Sequence, residues 1–126
     1  MTQATMAYKI ALQFKEQALS QLKDRVNSVI LYGSASREEY NPEKSDIDIL
    51  VIGSDESDYY GLRNIAMDIG LENSTTISLV YLSKSKFERF LKAGSSFIGN
   101  VLEEGIVLYD NGTLTRIHQS LIKASR

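Results

Sequence analysis

Between residues 4 and 24 the apolar side chains Ala7, Ile10, Ala11, Phe14, Ala18 and Leu22 recur at spacings of three and four, separated by Lys9, Gln13, Lys15, Glu16 and Lys23. That period gathers the apolar groups on one side of a helix and predicts an amphipathic α-helix. From Val26 to Tyr32 the pattern changes to a dense β-branched and apolar run that stops at Gly33, which predicts a buried strand. A short helical turn is expected over Ser34 to Tyr40, ended by Asn41-Pro42, because the residue before proline avoids helical angles. Asp46 to Ile52 begins by alternating acid with apolar residue and then becomes wholly apolar. It predicts a strand with an accessible start and a buried end.

The second half of the chain repeats this alternation of periods. Tyr59 to Leu71 has helical spacing after the capping residues Ser54 to Ser57, and Thr75 to Leu82 is a strand by β-branched content. Ser85-Lys86-Phe87-Glu88 has the form of a capping box, with Ser85 as N-cap of a helix carrying Phe87, Phe90 and Leu91. Gly94-Ser95-Ser96 separates this from a short helix over Phe97 to Glu104. A strand from Gly105 to Tyr109, the turn Asp110-Asn111-Gly112 and a last helix bearing Leu114, Ile117, Leu121 and Ile122 follow. The order α-β-β-α-β-α-α-β-α, without repeats or linkers, predicts an α+β unit with α/β character. Its expected core is a mixed sheet flanked by helices, in one domain over residues 1–126.

Composition narrows the chemistry. The 126 residues are 43% apolar and 24% charged, an ordinary globular balance. A formal charge of -2 gives no general attraction to nucleic acid, so small substrates fit better. Cysteine is absent and His118 is the single histidine, which rules out thiolate and multi-histidine metal sites and leaves oxygen ligands. Neither a leader pattern nor an apolar run approaching the ~20 residues of a bilayer span is present, so a cytoplasmic protein is expected, with no membrane partner.

The chemistry-bearing residues cluster between positions 33 and 48. Residues two apart on a strand share a face, so Asp46 and Asp48 converge while Ile47 points to the core. Paired carboxylates repel unless a hard cation joins them, and Mg²⁺ suits such a pair because it completes its shell with substrate phosphate oxygens. Gly33 allows close backbone approach. The following amides and the Ser34 hydroxyl can donate to phosphate oxygens, and Arg37, one turn on, can add a charge-assisted bond. The combination points to metal-assisted nucleotidyl transfer.

In these residues the chain resembles the minimal nucleotidyltransferases, small members of the DNA polymerase beta-like superfamily. Their signature is an apolar strand, Gly-Ser or Gly-Gly, a spacer, and Asp-apolar-Asp or Asp-apolar-Glu; here Leu31-Tyr32-Gly33-Ser34 is followed, after eleven intervening residues, by Asp46-Ile47-Asp48. The resemblance implies that Gly33, Ser34, Arg37 and Ser45 bind the nucleotide and that Asp46 and Asp48 are catalytic and bind Mg²⁺. It also implies transfer of a nucleoside monophosphate, AMP in first place, from ATP or another NTP to a hydroxyl of a protein or small molecule. Relatives with endings like Ser96 to Gly105 pair with HEPN-domain proteins as antitoxins, so a HEPN-domain partner and a homo- or hetero-oligomer are implied too.

One departure stands out. Active relatives place a third carboxylate on a later strand, where this chain has Thr76 or Ser78. Either the acceptor brings its own activation, or Glu72 or Asp68 reaches in, or catalysis is weak or lost and the protein neutralises its HEPN partner by binding alone. The other conspicuous residues read as ordinary. His118 lies among polar neighbours, one of Tyr59 and Tyr60 is expected packed and the other exposed, and Lys84 and Lys86 are surface charges. Lys44, two residues before Asp46, is a loop lysine within reach of a phosphate.

Overall fold

In a computed structural model of the chain, residues 3–37, 39–41 and 43–117 are described. Helix α1 (Gln3–Leu22) is followed by strand β1 (Val26–Tyr32), a 3-10 turn (Gly33–Arg37) and strand β2 (Ile47–Gly53). Helix α2 (Tyr59–Glu72), strand β3 (Ile77–Ser83), helices α3 (Lys84–Lys92) and α4 (Ser96–Glu104) and strand β4 (Ile106–Asp110) complete the order, with residues 113–117 again helical. The expected elements are all there, with small differences. The turn after β1 is of 3-10 type and starts at Gly33 itself, and β3 begins two residues later than its β-branched run. Leu121, Ile122 and His118 lie outside the described residues.

The sheet is mixed, in the order β3-β2-β1-β4. β1 pairs antiparallel with both β2 and β4, whereas β2 and β3 run parallel across the crossover helix α2. Side-chain alternation then divides the core in two. Val29, Leu31, Ile47, Ile49 and Val51 face α1 and α2 through Phe14, Leu62 and Ile69. Ile30, Leu50 and Ile52 face the other way, onto Phe87, Ile98 and Val101 of α3 and α4. Being covered on both sides, β1 and β2 read as continuous apolar runs rather than alternating ones. No described helix is long and apolar enough to cross a membrane.

This topology collects four chain ends at one edge of the sheet. The end of β1 pairs with the start of β2, Tyr32 opposite Asp48, and the start of β2 pairs with the start of β3, Asp48 opposite Ser78. On the far side, Leu31 pairs with Ile106, so the end of α4 arrives beside the glycine turn.

The N-cap of α3 is Ser83, not Ser85. The Ser83 hydroxyl accepts from the Lys86 amide at 3.2 Å, because β3 runs directly into the helix and the last strand residue already has the extended angles that a cap requires. Ser85 sits inside the first turn. Replacing Ser83 by Ala should therefore cost about 1 kcal/mol of unfolding free energy in urea titration. The same change at Ser85 should cost no more than a few tenths, and the reverse ranking would restore the capping box.

Candidate active site

Gly33 closes β1 with φ +71°, a left-handed conformation that disfavours any side chain. A Cβ at this position would also overlap the Asp48 Oδ2 oxygen. The main chain of the turn is thus laid directly against the carboxylate of the neighbouring strand. The Ser36 hydroxyl donates to the Gly33 carbonyl at 2.8 Å, and the Glu39 amide donates to the Ser34 carbonyl at 2.9 Å, which tightens the turn. Ala35 is buried beneath it, whereas Ser34 is half-buried.

Asp48 is the first acid within β2 and Asp46 lies two residues before it, just outside the strand; Ile47 between them is fully buried, as the alternation requires. Asp46 is exposed and Asp48 is half-buried. Burial, then the neighbouring Asp46 charge, push the Asp48 carboxyl above its ordinary range, while Arg37 pulls it down. Tyr32, across the β1–β2 pair, is pushed up to about 12 by burial and by Asp48, and stays neutral. Its ring meets Phe97 of α4 edge to face at 5.5 Å.

Arg37 reaches the site by charge but bonds elsewhere. Its guanidinium donates to Glu104 Oε2 at 2.8 Å and to Glu39 Oε2 at 3.3 Å, pairs that raise its own basicity further. Sequence reasoning missed Glu104. No local pattern links positions 37 and 104; only the pairing of β4 beside β1 brings the end of α4 to the turn. Ser45 is fixed by a turn in which its amide donates to the Asn41 carbonyl at 2.7 Å and its hydroxyl accepts from the Asn41 amide at 3.3 Å. Together with Lys44 and Asp46 it borders a cavity of about 440 Å³.

A third acid does not stand at the expected place. Ser78 is the register partner of Asp48, and the main chain of Thr76 accepts from the Ile47 amide at 2.8 Å. Glu72 is held away by Gln13 Nε2 at 3.3 Å, on the side where α2 packs against α1. Asp68 belongs to that same helix, whose core residues cover the face of the sheet opposite to Asp48. Among the described residues no group of three or more Asp, Glu, His or Cys side chains is placed to hold a metal.

The matched sequence region includes all of these site residues. Residues 15–113 match the family described as Polymerase beta, Nucleotidyltransferase. The chain belongs to this nucleotidyltransferase family. A relative from Methanocaldococcus jannaschii, provisionally named a protein adenylyltransferase, is 36% identical over 101 residues, which is 80% of this chain and 96% of the relative. The fold resembles that in a crystal structure of a toxin-antitoxin with AMP-PNP, at TM-score 0.55 and 17% identity over 90% of this chain and 92% of the other. It also resembles that in a structure of a tri-AMPylated HEPN toxin of Shewanella oneidensis in complex with an MNT antitoxin, at TM-score 0.50 and 16% identity over 93% and 92%. At those identities the two structures speak for the fold alone.

For a nucleotidyltransferase the donor set is informative. A carboxylate whose ionisation is made costlier by burial and by the neighbouring Asp46 charge, beside a backbone turn without side-chain cover, suits a hard divalent cation that takes its other ligands from phosphate. The donor set therefore fits a hard divalent cation, which Asp46 and Asp48 would hold. Without metal the charge on Asp48 is a liability. Its native carboxyl keeps a proton to higher pH than in an unfolded chain, so stability falls as pH rises from the ordinary carboxylate range through the raised native value, and the deficit persists above it. In metal-free buffer at neutral pH, Asp48→Asn should melt at a higher temperature than the wild type. The difference should vanish below about pH 3, where both states are protonated; a variant that melts lower at neutral pH would contradict this.

Proposed function

We propose that this nucleotidyltransferase uses Mg²⁺ to transfer AMP from ATP to a hydroxyl of a HEPN-domain partner, acting as the antitoxin of the pair. The observation that carries the proposal is the contact of the Gly33 main chain with Asp48, because it lays a backbone turn without side-chain cover against one carboxylate of the pair. The family, the adenylyltransferase name of the archaeal relative and the AMPylated toxin in a structure of similar fold support the same reading.

In this account the residues divide the work by position. The amides after Gly33 and the Ser34 hydroxyl hold the β- and γ-phosphates, since a backbone turn offers donors without a side chain in the way. Asp46 and Asp48 would hold the cation, which would supply positive charge to offset that of the transferred phosphoryl group. Arg37 stands ready to leave Glu104 and Glu39 for phosphate, an exchange of one exposed ion pair for another that costs little. Ser45 lies on the opposite bank, next to Asp46. The reaction draws on ATP, which in this account places the protein in the cytoplasm.

Ser78 favours a second reading. A hydroxyl opposite Asp48 cannot act as general base at neutral pH, and loss of such a base costs on the order of 10²–10⁴ in rate. A protein in that state would neutralise its partner by binding alone. The two readings separate in one experiment with labelled ATP, Mg²⁺ and a candidate HEPN-domain partner. Transfer predicts labelling of the partner that falls at least about 100-fold in Asp46→Asn. Binding alone predicts no label, and full neutralisation by a folded Asp46→Ala, Asp48→Ala protein. Undiminished labelling by Asp46→Asn would refute the assignment of the dyad.

A further inference from the structure

Arg37 is held by two acids of unequal freedom. Glu39, at 3.3 Å, lies two residues along the same segment, whereas Glu104, at 2.8 Å, is the last residue of α4. That helix cannot follow the turn. Ile98 and Val101 bury it against Ile30, Leu50 and Phe87, and a Cβ at Gly105, just beyond its end, would overlap the Val101 carbonyl and the Ile30 side chain. The Arg37–Glu104 pair therefore ties the end of the glycine turn to a fixed point.

Nothing in α4 itself favours an acid at this place. The carbonyl end of a helix carries partial negative charge, and no basic residue of α4 stands in its last turn. Arg37 supplies the missing cation from outside. The same guanidinium is near enough to Asp48 to pull its carboxyl down, so it stands between the helix end and the candidate phosphate site. Its side chain and that of Glu104 are 40% and 43% exposed, which lets a ligand break the pair without disturbing the core.

We infer that Glu104 competes with the terminal phosphates of the nucleotide for Arg37 and so sets how tightly the turn holds a triphosphate and the pyrophosphate that departs from it; this rests on the nucleotide placement proposed above. An arginine that must first leave a carboxylate gives up that bond, and the loss appears as lower affinity for the incoming anion. Glu104 is the main competitor, because its bond is the shorter and its backbone is fixed. A nucleoside monophosphate is indifferent to the pair, since the turn takes the β- and γ-phosphates it lacks. The consequence for turnover is release: Glu104 takes Arg37 back as pyrophosphate leaves, and product does not block the turn.

The test is calorimetric titration with AMP-PNP, pyrophosphate and AMP, each with Mg²⁺, at about 0.15 M salt, where charges acting through solvent are screened beyond about 8 Å. Glu104→Gln keeps the size of the side chain and removes its charge. It is expected to tighten AMP-PNP and pyrophosphate about two- to fivefold, the range of an exposed ion pair, with AMP within about 1.5-fold of wild type. In an Arg37→Ala background the same change should move AMP-PNP by less than about 1.5-fold. Unchanged or weaker AMP-PNP binding by Glu104→Gln would overturn the competition while leaving the proposed function standing. An equal gain in both backgrounds would overturn it too, by tracing the effect to the field of Glu104 rather than to its hold on Arg37. Failure of the wild type to bind AMP-PNP would remove the inference and the proposed function together.

Discussion

The contact between the Gly33 main chain and the Asp48 carboxylate is the constraint on which the rest of the site depends. It exists because β1 and β2 pair antiparallel with Tyr32 opposite Asp48, so the residue that ends one strand must pass the residue that opens the other. Only a residue without a Cβ passes at this distance, and its left-handed φ turns the chain into the 3-10 turn that follows. The eleven residues between Ser34 and Asp46 then have one structural duty, to bring the chain back beside β1. Buried Tyr40, hydrogen-bonded to Thr75, anchors that return.

Function and stability pull against each other here. A pair of acids at a half-buried strand end raises the energy of the metal-free protein, and the raised Asp48 carboxyl is the sign of it. The pair is tolerated because β2 behind it is buried on both faces and paired on both edges. With Ser78 rather than an acid opposite Asp48, no further carboxylate adds to the repulsion from that register position.

Much of this was legible in the residues because strand periodicity is short-range. The apolar runs gave two central strands, and Ile47 is buried where the alternation at 46–48 placed it. What stayed hidden depends on tertiary neighbours. A capping box at Ser85 could not reveal that β3 extends to Ser83 and supplies the cap itself. The Arg37–Glu104 pair and the Tyr32–Phe97 contact need β4 to lie beside β1, an ordering that no local signal encodes. The cavity next to Asp46 is built from three separate segments, so composition gave no hint of it.

The central claim is that Asp46 and Asp48 share one cation beside a triphosphate held by the turn at Gly33 and Ser34. A crystal structure with AMP-PNP and Mn²⁺, read at the manganese anomalous edge, tests it most directly. The account predicts an anomalous peak within about 2.4 Å of oxygens from both aspartates and from the nucleotide, with the terminal phosphates against the amides after Gly33. A peak that misses either carboxylate, or a triphosphate lying away from that turn, would contradict it.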